Sequence, residues 1–279
     1  MGHADRYVIA VYSPKGGVGK TTLAVDMAWR CAMQGEQPTL LWDLDPQAGS
    51  GYLLDVPPRP FGNAAGIFQK EGRPEQLVIP TQYDRLSILR ADDSLRNLPW
   101  HLARIGRRNR LAEVAGGLKK RFGRIVLDCS PMQNEVSYQV LAAADVILIP
   151  LPPSPLSARA LDLLQDDLER HVGRHAPILP ILSMYDGRRR EHRLARTERM
   201  ADFPIVPLSA EIERSAFYRA PIGAFAGESA ASDALNRLWM AVERKLRDSQ
   251  RPVSTLPVLT SQPRDIAGFS RLTRWLAAS

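Results

Sequence analysis

The chain has 279 residues, 44% of them hydrophobic, which suits one α/β domain with a full core, or one domain plus a small appendage. Its two cysteines give no disulfide framework, and no run approaches the roughly 18 apolar residues of a membrane-spanning helix, so we expect a cytoplasmic protein. The formal net charge of +7 favours a polyanionic partner such as DNA or anionic lipid, without deciding between them.

Short apolar runs alternate with helical patterns along the chain. Continuous β-branched and leucine-rich runs indicate buried parallel strands, and the helical segments between them have apolar spacing near 3.6. The sequence therefore predicts an α/β fold in which a mostly parallel twisted sheet carries helices on both faces. The predicted strands are 7–12, 39–44, 86–89, 124–129, 145–151, 177–184 and 203–208, and the predicted helices are 20–34, 107–121, 134–143, 156–172, 188–200, 211–219 and 230–248.

A glycine-rich loop lies between the first predicted strand and the first predicted helix. Its glycines allow backbone N–H groups to surround phosphates, Lys20 would reach the β- and γ-phosphates, and Thr21 would ligate Mg²⁺. The usual motif has glycine where Pro14 stands, and a second lysine, Lys15, follows. A merely tight strand-to-helix connection is the alternative. The predicted nucleotide-binding residues of this loop are Gly16, Gly17, Val18, Gly19, Lys20, Thr21 and Thr22.

The run KGGVGKTT at this loop resembles the deviant Walker A motif of the ParA/MinD ATPases, and the resemblance extends over about residues 7–247. It implies ATP and Mg²⁺ as cofactors and an ATP-dependent homodimer with nucleotide held between two subunits. In that family the additional lysine crosses the dimer interface to the partner's nucleotide. Lys15 would take this role, so we expect Lys15 and Lys20 to be catalytic. Without a long N-terminal extension, the chain resembles the small ParA or Soj type.

Two carboxylates follow the second predicted strand in the run DLDPQ, at Asp43 and Asp45. Residues two apart on a strand share one face, so both can point at the same Mg²⁺ and water cluster. Alone, such a pair is more often a solvated turn. The run resembles the ParA branch of the family more than the MinD branch. The resemblance implies that Asp45 positions the attacking water and that Asp43 supports the metal.

A third carboxylate, Asp128, ends the predicted strand 124–129 in the manner of a Walker B motif. Such a residue holds Mg²⁺ through water and receives a hydrogen bond from the loop hydroxyl. The alternative is that Asp128 only caps the next helix.

Two later segments resemble the strands and loops that hold adenine in ParA proteins. They place Met184 and Pro207 as candidate contacts to the base. The sequence also lacks the NKxD motif that many GTPases use, which favours adenine over guanine.

Basic residues cluster at 104–110, 119–124 and 188–199 and at Arg214 and Arg219. Such clusters are often only solvated helix faces, but a dimer that aligned them would bind phosphates without sequence preference. The resemblance thus implies non-specific double-stranded DNA as a partner, a nucleoid-associated location, and a ParB-like or other cargo adaptor that stimulates hydrolysis. The candidate DNA-binding residues are Arg193, Arg196, Arg214 and Arg219, with Arg214 best placed by resemblance.

The end of the chain changes in composition after the predicted domain 1–248. Residues 249–264 are rich in proline, serine and threonine and indicate a linker, and 265–279 indicate a short amphipathic helix. This helix would pack, dock a partner or touch membrane, and its two arginines, Arg271 and Arg274, would anchor it to lipid only weakly.

Three functions remain open at this point. The first is a DNA-dependent switch that partitions or positions a plasmid, a chromosome or other cargo. The main alternative is a membrane-surface positioning ATPase of the MinD kind. A metabolic P-loop enzyme or an iron–sulfur reductase is the third, and two cysteines are too few for the reductase.

Overall fold

A computed structural model describes residues 6–59, 63–68, 73–105, 109–172, 175–197 and 200–248. The predicted linker 249–264 and the predicted helix 265–279 lie outside the described residues, as do Arg107, Arg108 and Arg199 of the basic clusters.

Eight strands form one sheet in the order β3-β4-β2-β5-β1-β6-β7-β8. Every neighbouring pair is parallel except β3 and β4. This confirms the predicted fold class of a mostly parallel sheet covered by helices. The strands are β1 (Tyr7–Val11), β2 (Thr39–Asp43), β3 (Val78–Pro80), β4 (Leu86–Leu89), β5 (Arg124–Asp128), β6 (Val146–Leu151), β7 (Ile178–Tyr185) and β8 (Ile205–Pro207).

The helices follow the predicted pattern, except that three helices and one strand were not predicted. Strand β3 and the helices at Gly49–Leu53 and Ile222–Phe225 are short, and Pro99 interrupts the pattern of the helix Leu98–Ile105 in its first turn, where proline is tolerated. The predicted helix 107–121 is observed as α4. The helices are α1 (Lys20–Met33), α2 (Gly49–Leu53), α3 (Leu98–Ile105), α4 (Arg110–Leu118), α5 (Glu135–Ala143), α6 (Pro155–His171), α7 (Arg190–Thr197), α8 (Ala210–Tyr218), α9 (Ile222–Phe225) and α10 (Ala230–Asp248), and 3₁₀ turns occur at Ala64–Phe68, Pro74–Gln76 and Asp93–Asn97.

The sheet is buried on both faces because side chains alternate along each strand. In β1, Ile9 and Val11 join a core layer with α1 and α10, whereas Val8 and Ala10 join the opposite layer with α4, α5 and α6. Within the described residues, no helix combines the length and the apolarity needed to cross a bilayer.

Buried polar contacts fix α1, the helix that follows the glycine-rich loop. Arg30 pairs with Asp26 at 2.6 Å and donates from Nη2 to Ser232 Oγ at 3.0 Å, which joins α1 to α10. Gly223 of α9 donates its N–H to Asp26 Oδ1 at 3.2 Å. These contacts hold α1 against α9 and α10. Because β2, β5 and β1 are neighbouring parallel strands, the loops that follow them meet at the carboxyl ends of the strands.

Candidate nucleotide site

The loop between β1 and α1 has the backbone that a phosphate site requires. Gly17 and Gly19 have φ values of +70° and +86°, a region that residues with a side chain rarely adopt. A Cβ added at either glycine, or at Gly16, would meet no atom within 4 Å. The glycines are thus required by conformation rather than by packing, and the space in front of the loop is open to a ligand at the N-terminus of a 14-residue helix.

The other residues of the predicted loop frame this space. Val18 is buried, whereas Thr21 and Thr22 are half-buried in the first turn of α1. A Cβ at Gly49 would lie 3.1 Å from Thr21 Cγ2, so the loop after β2 passes close to the first turn of α1.

The two predicted catalytic lysines point in different directions. Lys20 is 7% exposed, and its Nζ donates to the carbonyl oxygen of Lys15 across the loop at 3.3 Å. The Nζ of Lys15 instead donates to Ser157 Oγ of α6 at 3.1 Å. Lys20 is therefore folded over the phosphate space, while Lys15 reaches away along its own subunit.

Asp43 and Asp128 lie side by side, because they are register partners at the ends of β2 and β5. Both are buried. The Oδ1 of Asp43 accepts the N–H of Asp45 at 3.1 Å and its Oδ2 accepts the N–H of Ser50 at 3.2 Å. Asp128 Oδ2 accepts the Ser50 hydroxyl at 2.8 Å, whereas Asp128 Oδ1 has no hydrogen-bond partner among the described residues. A buried carboxylate oxygen without a partner is a position where a cation fits.

The electrostatics of this pair also fit a cation. Burial raises the pKa of Asp128 to about 6, an increase that the hydrogen bond from Ser50 and the nearby Thr21 hydroxyl reduce. Burial, and next the charge of Asp128, raise the pKa of Asp43 well above its ordinary value. Two carboxylates in one dry site repel each other, and a divalent cation would relieve that repulsion.

The donor set suits magnesium bound together with a nucleotide. Among the described residues, no group of three or more His, Cys, Asp or Glu side chains is arranged to hold a metal. Mg²⁺ usually takes one or two carboxylates and completes its shell with water and phosphate oxygens. Thr21, Asp43 and Asp128 match this pattern, with Asp128 keeping the available oxygen.

Asp45 lies at the mouth of the same site. It is half-buried, its N–H is bound to Asp43, and its Oδ1 accepts the N–H of Gln47 at 3.0 Å. Its charge is one of the causes that raise the pKa of Asp128. The structure thus brings Asp45 near the metal carboxylates, and its role toward water stays a prediction.

The candidate adenine residues lie on neighbouring strands further along the sheet. Tyr185 and Pro207 are register partners, and Leu208 donates its N–H to the Tyr185 carbonyl at 2.9 Å. Met184 has a φ of +56° and is 36% exposed, and an unusual backbone angle in a non-glycine residue often marks a functional position. Strand β7 is two strands from β1, roughly 10 Å away at the usual spacing.

The four candidate DNA-binding arginines lie on two helices and differ in their surroundings. Arg193, Arg196 and Arg214 are exposed, and Arg193 Nη1 donates to the carbonyl oxygens of Gly187 and Arg188 at 2.9 and 2.8 Å. Arg219, at the end of α8, pairs with Asp55 at 2.9 Å, and its guanidinium lies 4.7 Å from the centre of the Tyr52 ring. Arg219 is therefore already engaged by its own subunit.

Sequence reasoning missed two residues that contact the site, Ser50 and Ser157. Ser50 lies on α2, whose five residues are too short to show a helical period. Ser157 is 142 residues from Lys15, so no local pattern could connect them. Both cysteines are buried thiols, and burial raises the pKa of Cys31 to about 12.

Comparisons with known proteins agree with this geometry. A family model described as an AAA domain matches residues 6–177. The chromosome partitioning protein ParA of Caulobacter vibrioides is 26% identical over 257 residues, which cover 87% of this chain and 96% of that protein. An ATP complex of McdA from Cyanothece superposes with a TM-score of 0.76 at 19% identity, over 86% of this chain and 98% of McdA. MinD of Pyrococcus horikoshii, solved with Mg-ADP, superposes with a TM-score of 0.70 at 21% identity, over 88% of this chain and all of MinD.

At these identities the two solved structures establish the shared fold. The family match extends from β1 to the residue before β7 and so includes the glycine-rich loop and all three carboxylates. The chain belongs to this AAA domain family and is a P-loop ATPase of the ParA/MinD type.

Proposed function

We propose that the protein is a ParA-like ATPase that hydrolyses ATP with Mg²⁺ and uses an ATP-dependent sandwich dimer to partition or position an intracellular cargo on non-specific DNA. The observation that carries the proposal is that the glycine-rich loop, Lys20 and the unpartnered oxygen of Asp128 lie together at the carboxyl ends of the central strands. The cargo would be a plasmid, a chromosome or another large assembly.

In the proposed reaction, each part of the site has a separate task. Mg²⁺, when bound, neutralises charge on the phosphates. Thr21, Asp43 and Asp128 would hold it, the loop N–H groups and Lys20 would hold the phosphates, and Asp45 would orient the attacking water. Met184 and Pro207 would contact the adenine.

The position of Lys15 supports the proposed dimer. Its Nζ donates to Ser157 Oγ on α6 of its own subunit at 3.1 Å. A lysine in this place is available to a second nucleotide across an interface. We therefore propose that Lys15 completes the site of the partner subunit.

The proposed DNA contacts are supported by charge on α7 and the turn before it. Five arginines are exposed there, against two acidic residues, Asp186 and Glu191. The exposed arginines are Arg188, Arg189, Arg190, Arg193 and Arg196. A dimer would present two such helices to one duplex, so its binding should exceed that of the monomer through effective concentration.

A sedimentation assay separates this function from the membrane alternative. We expect the ATP-bound protein to sediment with plain duplex DNA, less so as salt rises, and not with anionic vesicles. The variant Arg193→Glu with Arg196→Glu should weaken DNA binding, and Arg237→Glu with Arg244→Glu, which makes the same charge change on the exposed face of α10, should not.

The opposite result would assign the protein to membranes. If the ATP-bound protein ignores DNA at low salt and sediments with vesicles, and if deletion of 265–279 abolishes that sedimentation, the DNA proposal is wrong. A nucleoid-associated location and a ParB-like or other adaptor that stimulates hydrolysis belong to the same proposal.

A further inference from the structure

Ser50 touches both metal-site carboxylates with two different donors. It lies on α2, directly after the DLDPQ run, and is fully buried. Its hydroxyl donates to Asp128 Oδ2 at 2.8 Å and its N–H donates to Asp43 Oδ2 at 3.2 Å. These contacts join two strands through a residue that belongs to neither.

We propose that Ser50 is a positioning residue of the magnesium site, one that holds the Asp128 carboxylate so that Oδ1 faces the cation. This inference rests on the proposed function. Two adjacent buried carboxylates would otherwise turn apart to reduce their repulsion. A hydroxyl that occupies Oδ2 fixes the rotation of the Asp128 carboxylate and leaves Oδ1 as its available oxygen.

The glycines on either side of Ser50 keep it in place. A Cβ at Gly51 would come within 2.5 Å of Arg90 Nε, and a Cβ at Gly49 within 3.1 Å of Thr21 Cγ2. Arg90 in turn donates from Nη1 to the Val56 carbonyl at 2.6 Å, just beyond α2. Side chains at these two positions would press on Arg90 and Thr21, so the two glycines let α2 lie close to both residues.

A mutation can remove the hydrogen bond of the Ser50 hydroxyl without removing that of its N–H. Ser50→Ala removes the bond to Asp128 and keeps the backbone bond to Asp43. Partners that orient metal ligands typically contribute 10- to 100-fold in metal affinity. Mg²⁺ should increase the affinity of the protein for a fluorescent ATP analogue. We expect Ser50→Ala to raise the Mg²⁺ concentration that gives half of this increase about 10-fold or more.

Three comparisons make this experiment specific. The affinity for the analogue in EDTA should be unchanged in Ser50→Ala, since the glycine-rich loop and Lys20 are intact. Ser215→Ala removes an equally buried hydroxyl, bonded at 2.8 Å to the Ile212 carbonyl on α8, and should keep the wild-type Mg²⁺ requirement. Ser50→Cys, nearly the same size but a weak donor, should have a raised Mg²⁺ requirement without a cavity.

Each result decides the question. A wild-type Mg²⁺ requirement in folded Ser50→Ala, or in folded Ser50→Cys if the alanine variant does not fold, overturns the assignment of Ser50. An equal loss of affinity with and without Mg²⁺ overturns it too, because the serine would then support the loop and not the metal. If wild-type protein binds the analogue with no Mg²⁺ dependence at all, the proposed function fails instead.

Discussion

The Nζ of Lys15 lies 3.1 Å from the Oγ of Ser157 in the same chain. Ser157 is fully buried and also contacts Ser154, which caps the N-terminus of α6, so its hydroxyl is held firmly. To serve a partner's nucleotide, Lys15 must leave this contact. Both the present bond and a bond to phosphate use the charged ammonium group of Lys15, but a phosphate oxygen carries an opposite charge that the Ser157 hydroxyl lacks, so the exchange is favourable when a second ATP site is near.

Replacing Lys15 should separate nucleotide binding from dimerisation. We expect Lys15→Ala and Lys15→Gln to bind a slowly hydrolysed ATP analogue nearly normally but to remain monomeric in size-exclusion light scattering. Ser157→Ala removes the hydroxyl that holds Lys15 in its own subunit, together with its contact to Ser154, and should dimerise at equal or lower protein concentration. A normal, active dimer of Lys15→Ala would show that this lysine does not act across the interface.

Replacing Lys20, unlike replacing Lys15, should prevent nucleotide binding itself. Its Nζ is bound to the Lys15 carbonyl over the loop, where it would meet the β- and γ-phosphates. We expect Lys20→Ala to lose tight ATP–Mg²⁺ binding in a nucleotide titration, whereas Lys245→Ala, at an exposed position of α10, should bind as wild type. Normal affinity in Lys20→Ala would refute the assignment of the loop.

Burial of the Asp128 carboxylate should lower the stability of the protein without nucleotide. The folded-state pKa of Asp128 is about 6, above its ordinary 3.8, so ionisation of Asp128 opposes folding and stability falls as the pH rises from about 4 to 6. Asp128→Asn should therefore raise the free energy of unfolding at pH 7.5 by about 1 to 3 kcal/mol.

A matched substitution provides the contrast. Asp145 accepts the N–H of Val8 and pairs with Lys119 at 2.8 Å, so its carboxylate is stabilised by the fold. We expect Asp145→Asn to lower or leave unchanged the unfolding free energy measured by urea denaturation. If Asp128→Asn also destabilises the nucleotide-free protein, the burial of an ionised Asp128 is not a significant cost.

The sequence predicted those parts of the fold and site that depend on local patterns. Strand runs such as 124–129 and the helix at 230–248 have strong periodicity, and the glycine-rich loop has a backbone that only glycine adopts readily. The edge strand β3 and helix α2 are short and depend on tertiary contacts. The role of Ser50 was not predicted either, because its partner Asp128 is 78 residues away in the sequence.

Met184 shows another limit of sequence reasoning. The resemblance to the family predicted Met184 as a contact to the base, but it did not predict the backbone of this residue. Met184 has a left-handed φ of +56° and lies where the pairing of β7 with β8 is irregular. No residue pattern announces such an angle for methionine, since most non-glycine residues avoid it.

The turn between β7 and α7 should be sensitive to acid through His192. This side chain is buried, and its Nδ1 accepts the N–H of Asp186 at 3.0 Å, which requires the unprotonated nitrogen. Burial, and next the charge of Arg189, lower the pKa of His192, while Asp186 and Glu191 act in the opposite direction. Because the folded-state pKa is lowered, the stabilisation is present above pH 6.5 and is lost as the pH falls through the folded-state value.

A neutral replacement should remove this pH dependence. In His192→Asn the amide oxygen can still accept the Asp186 N–H, so stability between pH 5 and 6.5 should change less than in wild type. Urea denaturation at pH 5.0, 5.8 and 6.5 measures the slope, and an unchanged slope in His192→Asn would exclude this histidine as its source.

The arginines should differ in their contributions to DNA binding, because they differ in what already holds them. Arg219 must leave Asp55 and the Tyr52 ring before it can meet a phosphate, whereas Arg196 and Arg214 are exposed on their helices. Arg214→Gln should therefore reduce the affinity of the ATP dimer for duplex DNA more than Arg219→Gln does. Both changes should act equally on unrelated sequences, since phosphate contacts carry no base information.

The salt dependence provides the decisive measurement for these arginines. Each phosphate contact that is lost should lower the slope of log affinity against log salt by about 0.9. Arg214→Gln should show this decrease, doubled if both subunits of the dimer contact the same duplex, and Arg219→Gln should keep the wild-type slope. A larger decrease in slope for Arg219→Gln would mean that DNA displaces Asp55 from Arg219. The phosphate contact would then lie at the C-terminal end of α8, near Asp55, rather than on the exposed face of α8.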